Sequence, residues 1–145
     1  METYSIKQVS ELIKMPKDTL RYYDKIGLVC PKRSDNRYRY YTAQDIRDLQ
    51  YAEVMKFGGF TLAEIKQVFQ YMRVHDARNY SELLSIFNKK KLELIRKQNL
   101  FGSMIEFMTQ IKTLMDEKKD CEDIIKIDRL VENIFEELEG RDNEK

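Results

Sequence analysis

The 145-residue chain has no tryptophan, one histidine, two cysteines, two prolines and five glycines. Each scarcity removes a class of protein. Cys30 and Cys121 lie far apart in the sequence and form neither a disulfide framework nor a paired CxxC metal ribbon. With His75 as the one histidine, the chain has too few nitrogen and sulfur ligands for a zinc site of its own. So few glycines and prolines do not suit a turn-rich β-sandwich. No window of about 18 apolar residues occurs, which excludes a transmembrane helix. The first residues, METYSIKQVSELIK, lack the apolar run of a signal peptide, so the expected location is the cytoplasm, away from membranes. Neither GxGxxG nor GxxxxGK followed by Ser or Thr is found, which leaves a nucleotide cofactor without support. The acidic pairs Glu136-Glu137 and Asp116-Glu117 read as solvated faces. No catalytic set emerges, and the expectation is a protein that is not an enzyme and carries no cofactor or metal.

What is present is charge and enough apolar residues for a core. Hydrophobic residues make up 42% and charged residues 35%, which fits one small domain with an appendage and excludes a fully disordered chain. The net charge of +1 conceals an asymmetry. Residues 1–75 carry 13 Lys and Arg against 9 Asp and Glu, whereas residues 76–145 carry 13 against 16. A basic first half points to a polyanionic partner there and a different role for the rest, although scatter alone can produce such a difference.

Ile6, Val9, Leu12 and Ile13 have the spacing of a short helix face, with Ser5 as N-cap. Pro16 opens a second helix, PKDTLRYYDKI, that ends at Gly27. Only Lys14-Met15 separates the two, as in a helix-turn-helix. Leu28-Val29-Cys30 and Tyr38 to Tyr41 read as two short strands of a wing, with Cys30 half-buried and Lys32 to Arg37 between them. Thr42 with Asp45, and Thr61 with Glu64, mark two more helix starts. The first of these helices is expected to bury Ile46, Leu49, Val54 and Phe57, and the second Leu62, Ile65, Val68 and Phe69.

Residues 74–80 read as a hinge, and a long helix follows from Ser81 to about Lys118. Leu83, Phe87, Leu94, Phe101, Met104, Met108, Ile111 and Met115 fall on an alternating 4,3 series, broken at Lys90 and Lys97. At about 1.5 Å per residue such a helix spans roughly 57 Å, too long for so small a domain to cover, so a second copy is expected along it. After a polar break from Asp116 to Asp123, Ile124, Ile127, Val131, Ile134 and Leu138 define a final amphipathic helix, with a frayed tail. The resulting division is 1–75 for a DNA-binding part, 76–118 for hinge and dimerisation helix, and 119–145 for the C-terminal helix and tail.

The chemistry concentrates in residues 17–41. Lys17, Asp18, Thr19, Arg21, Tyr22 and Tyr23 cluster on the second helix of the helix-turn-helix, the one that enters a major groove. Lys and Arg neutralise phosphates or bond guanine edges, Tyr hydroxyls fix phosphate register, and Thr meets a base or a thymine methyl. The wing adds Lys32, Arg33, Arg37 and Arg39 among Tyr38, Tyr40 and Tyr41. A helix must also bury a face, so Leu20 and one of Tyr22 and Tyr23 read as core. Strand alternation sends some wing tyrosines inward, and Arg21 has Asp24 as an alternative partner.

These segments carry a family resemblance. The run from Tyr4 to Phe69, with TLRYYDKIGL at 19–28, YRYYTAQDI at 38–46 and GFTLAEIK at 59–66, resembles the N-terminal domain of MerR-family transcriptional regulators. The resemblance implies a mainly α fold: a winged helix-turn-helix, a second helix pair, a long helix paired in an antiparallel dimeric coiled coil, and a short C-terminal helix. It also implies a homodimer on double-stranded promoter DNA that distorts an overlong spacer when an effector binds, and so reaches RNA polymerase indirectly. Arg37 stands where the family often has glycine, which implies a different wing turn and an extra phosphate contact.

Metal-sensing members carry a cysteine near the start of the dimer helix and two more in the following loop. This chain has no cysteine from Asp76 to Glu82 and only Cys121 later, while soft-metal capture needs two or more thiolates. About 25 residues follow the long helix, too few for the large ligand domain of multidrug-sensing relatives. The remaining effector site is an apolar pocket of Phe101, Met104, Phe107, Met108, Ile124, Ile127 and Phe135, residues that equally suit plain core and interface. Two rival readings stand beside the regulator: a protein-interaction module built on the coiled coil and acidic final helix, and a thiol-based redox or electrophile sensor using Cys121.

Overall fold

The computed structural model describes residues 2–75, 77–116 and 121–142. The chain divides into two compact units, Met1–Lys90 and Lys91–Lys145. The elements of the first are β1 (Thr3–Ser5), α1 (Ile6–Ile13), α2 (Lys17–Lys25), β2 (Lys32–Arg33), β3 (Arg39–Thr42), α3 (Ala43–Phe57) and α4 (Leu62–Val74). After a 3-10 turn at Ala77–Asn79 comes α5 (Tyr80–Asp116), which crosses from the first unit to the second, and then α6 (Cys121–Asp142).

Three helices begin at capping boxes. The Ser5, Thr42 and Thr61 side chains accept from the backbones of Gln8, Asp45 and Glu64, whose side chains bond back to the cap backbones. Between α1 and α2, Lys14 adopts φ +54° and the Ser10 hydroxyl donates to the Met15 carbonyl at 2.6 Å, which closes the turn in two residues. Pro16 is the N-cap residue of α2, one position outside the helix it was expected to open.

The end of α2 is a Schellman motif. Gly27, at φ +73°, donates to the Asp24 carbonyl at 3.1 Å, and Leu28 donates to the Tyr23 carbonyl at 2.9 Å. Lys66 of α4 donates to the Ile26 carbonyl at 2.9 Å, placing a cation at the helix C-terminus and tying the second helix pair to the first.

This helix end corrects the expected wing. Because the Schellman turn folds the chain back over α2, Leu28 and Val29 are core residues rather than strand, and β2 is confined to Lys32–Arg33. Cys30 is exposed, not half-buried. β3 pairs antiparallel with β2 on one edge (Arg33↔Arg39, Lys32↔Tyr40) and with β1 on the other (Thr3↔Thr42, Tyr4↔Tyr41, Ser5↔Tyr40). The strand β1 was not anticipated: a three-residue strand is too short for alternation to reveal.

The core gathers Val9, Met15, Leu20, Tyr23, Leu28, Val29, Tyr41, Ile46, Leu49, Ala52, Ile65 and Phe69 into one cluster from every layer of the first unit. Val54 and Phe57, expected inside, are 70% and 92% exposed. Burial on α3 follows the i, i+3 stripe Ile46, Leu49, Ala52, Met55, which winds around the helix and leaves both off it. In the second unit Leu100, Ile127 and Ile134 are buried. The final helix starts at Cys121, not Ile124; the expectations for Asp76, residues 117–120 and the tail 143–145 lie outside the described residues.

The Tyr41 hydroxyl is buried with no hydrogen-bond partner among the described residues, and burial pushes its phenol above the usual range against the pull of Arg39. An unpaired buried hydroxyl costs about 1–3 kcal/mol. Tyr41→Phe is therefore expected to leave stability unchanged or raise it by up to about 1 kcal/mol in denaturant unfolding, whereas Leu20→Ala lowers it by about 2–5 kcal/mol. A loss above about 1 kcal/mol for Tyr41→Phe shows that the hydroxyl holds a bound water.

Candidate nucleic-acid interface

The two sides of α2 differ in chemistry. Leu20 and Tyr23 enter the core at 1% exposure each, and the Tyr23 hydroxyl meets Glu53 at 3.4 Å. Tyr23 is thereby corrected from a duplex-facing residue to a core residue, because it lies three residues from Leu20 on the same helix face. Lys17, Asp18, Arg21, Tyr22 and Lys25 face outward, with Thr19 half-buried beside them. Arg21 pairs with Asp18 across one turn at 2.6 Å, both largely solvated, and not with Asp24. Such an exposed pair is worth at most about 1 kcal/mol and does not hold Arg21 from another partner.

Asp24 has another role. Its Oδ2 accepts from Arg39 Nε at 2.7 Å and from Arg33 Nη2 at 3.2 Å. These two arginines oppose each other in the β2–β3 ladder. One helix carboxylate thus gathers a guanidinium from each wing strand. The sequence offered one signal: a carboxylate in the last turn of a helix opposes the macrodipole, so it requires a cation nearby. Which cations supply it is a matter of wing register.

The wing tip is the turn Ser34–Arg37. Arg37 donates to the Ser34 carbonyl at 2.8 Å, and Ser34 donates to the Tyr38 carbonyl at 3.0 Å. Arg37 occupies the left-handed region at φ +62°, the conformation glycine would adopt at less cost. Lys32, Arg33, Arg37 and Tyr38 are exposed around this tip, and Arg39 is half-buried at its base. Residues 17–39 hold seven Lys and Arg against three Asp, a surplus of +4 in a chain whose net charge is +1.

The residues expected to pair two copies lie along α5. Leu83 is buried, the Phe87 ring meets Phe60 at 5.1 Å, and Lys90 pairs with Glu64 at 3.5 Å, so the first turns of α5 are engaged within their own unit. Farther along, Leu94, Phe101, Met108 and Met115 are exposed, and Met104 and Ile111 are half-buried. Leu92, Ile95 and Ile105 are exposed as well, a wider apolar surface than the 4,3 series alone. Of the effector-pocket candidates, Phe101, Met108, Ile124 and Phe135 are exposed, Met104 and Phe107 half-buried, and Ile127 buried. Among the described residues no group of three or more His, Cys, Asp or Glu is placed to hold a metal ion, and no helix is long and apolar enough to cross a membrane.

A helix-turn-helix whose second helix turns its cations outward, beside a basic β-hairpin, defines a winged helix-turn-helix DNA-binding protein. The chain belongs to the MerR family of transcriptional regulators: residues 4–72 match the family described as MerR HTH family regulatory protein. It is similar to the HTH-type transcriptional regulator HmrR of Rhizobium leguminosarum bv. viciae, 33% identical over 93 residues that cover 64% of this chain and 71% of that protein. Among solved structures it is similar to HiNmlR, a MerR family regulator lacking the sensor domain and bound to promoter DNA, at 28% identity and TM-score 0.55, over 78% of this chain and 95% of that one. It is also similar to MtaN, the N-terminus of the Bacillus subtilis multidrug transporter activator, at 34% identity and TM-score 0.50, over 77% and 97%.

The wing tip gives a test of its own. Arg37→Gly is expected to hold or raise the unfolding temperature, while Arg37→Val lowers stability by about 1–2 kcal/mol, because the β-branched side chain clashes in the left-handed region. Equal melting of the two variants would mean that the turn relaxes out of that region.

Proposed function

We propose that the chain acts as a homodimer that sets α2 of each protomer into successive major grooves of a pseudo-palindromic promoter operator. It alters transcription by distorting the spacer between two promoter elements, so RNA polymerase responds through the DNA. The observation that carries this reading is the surplus of +4 over residues 17–39, gathered on α2 and the wing. The duplex-facing set is Lys17, Asp18, Thr19, Arg21 and Tyr22 on the helix, with Lys32, Arg33, Arg37, Tyr38 and Arg39 on the wing. That HiNmlR is bound to promoter DNA supports the same target. Work of this kind is recognition and deformation of DNA, and needs no catalytic group.

Dimerisation is supported by α5. Its 37 residues span roughly 55 Å, and its distal two-thirds expose Leu94, Phe101, Met108 and Met115 on the 4,3 series. A second copy is the simplest cover for such a face. An apolar organic effector suits the Met and Phe side chains of the same region, which adapt to irregular ligands. Metal sensing is disfavoured because soft-metal capture needs two or more thiolates, and Cys121 is the one cysteine after Cys30.

The test is selection of duplexes from a random-sequence pool by the full chain, followed by titration of the selected duplex at several salt concentrations. The selected sequences are expected to be two-fold symmetric. Log affinity falls against log salt with a slope of about −0.9 per phosphate contacted. Arg21→Ala costs about 1–3 kcal/mol of that affinity if Arg21 reads a base edge. Absence of a consensus, or binding indifferent to salt, contradicts the reading. Sedimentation is expected to give twice the 17.5 kDa chain mass, and Phe101→Glu combined with Met108→Glu to shift it toward one. A sharp monomer for the unmodified chain sinks the dimer.

A further inference from the structure

We infer that Asp24 is a positioning residue for DNA recognition: it locks the wing to the recognition helix through Arg33 and Arg39, so that the two enter the duplex as one rigid face. This rests on the proposed DNA binding and goes beyond it.

The geometry is unusual for a surface that meets phosphates. Asp24 is a carboxylate among the seven Lys and Arg of residues 17–39, with its side chain only 16% exposed. It is placed on the last turn of α2, where the helix dipole disfavours it. Two features offset that cost. Arg39 forms a short charge-assisted bond at 2.7 Å from a side chain that is itself 27% exposed. Arg33, from the opposing strand, adds a second at 3.2 Å and remains half exposed. Like charges directly opposite in a ladder repel, so the Arg33↔Arg39 pair gains from a carboxylate between them. The base of the wing does not depend on this carboxylate for packing, because Leu28, Val29 and Tyr41 bury it.

What the pair of bonds adds is orientation. β2 is two residues long and the turn beyond it is exposed, so backbone pairing alone leaves the arginines of the wing loosely aimed. Asp24 fixes one end of both side chains to the helix that reads the groove. The remaining positive charge of the trio faces outward on Arg33.

The sign of the expected effect separates positioning from simple electrostatics. Asp24→Asn adds one positive charge to the DNA face. Coulomb attraction alone then tightens binding to every duplex. Positioning makes the opposite demand for the specific duplex, because the freed wing must be ordered again on binding.

The experiment compares affinity for the duplex selected by the wild-type chain with affinity for a scrambled duplex of equal length, with thermal unfolding followed for each variant. Asp24→Asn is expected to lower the ratio of specific to scrambled affinity by about tenfold, while Asp24→Glu, which keeps the charge, stays within about threefold. In an Arg33→Gln, Arg39→Gln background, Asp24→Asn is expected to cause no further loss. An unchanged or higher ratio for Asp24→Asn, or a loss that persists without the arginines, overturns the assignment. If the wild-type chain discriminates no duplex from the scrambled one, the DNA-binding reading itself fails, a different result from either.

Discussion

A nine-residue helix is too short to be stable by itself in water. The structure depends on how α2, which carries the outward cations, is nevertheless held rigid. Leu20 and Tyr23 sink one face into the core, each side chain contributing about 1.5–3 kcal/mol of burial. The Schellman turn at Gly27 satisfies the last carbonyls, and Lys66 reaches from α4 to a further one. The second helix pair therefore has a direct part in presenting α2, since it supplies both core partners and a cation at the helix end.

Electrostatics on this face is a balance between concentration and cohesion. Seven cations over residues 17–39 repel each other, and three carboxylates divide that charge. Asp18 does so loosely, with Arg21 in solvent; Asp24 does so tightly, with two wing arginines. The difference follows from burial, since a half-buried carboxylate is screened less and its bonds are held by fixed backbone on three elements. The second unit has the opposite character, with buried Leu100, Ile127 and Ile134 under a wide exposed apolar surface.

Much of this was legible in the sequence, for identifiable reasons. The capping residues Ser5, Thr42 and Thr61 announced their helices because capping is a local interaction, and Gly27 announced an end for the same reason. The division of α2 into inward Leu20 and outward Arg21 followed from helical period, which left Tyr22 and Tyr23 undecided; the core selected Tyr23. Non-local features were not legible. Strand β1 is three residues long and exists because β3 has a free edge. Val54 and Phe57 fit a helical apolar face in sequence, yet the burial stripe winds past them. The Asp24 cluster joins residues nine and fifteen positions apart, and only the wing register brings them together. On α5 the 4,3 series runs from Leu83 to Met115 with breaks at Lys90 and Lys97, whereas the folded chain uses its first turns internally.

In the proposed reading α2 and the wing meet DNA as a single face. Amide hydrogen exchange of the full chain, with and without saturating selected duplex, tests it most directly. The expected result is slowed exchange, on duplex addition, across Lys17–Lys25 and Lys32–Thr42 together, with α6 unaffected. Protection confined to α6, or protection of the helix without the wing, would contradict it.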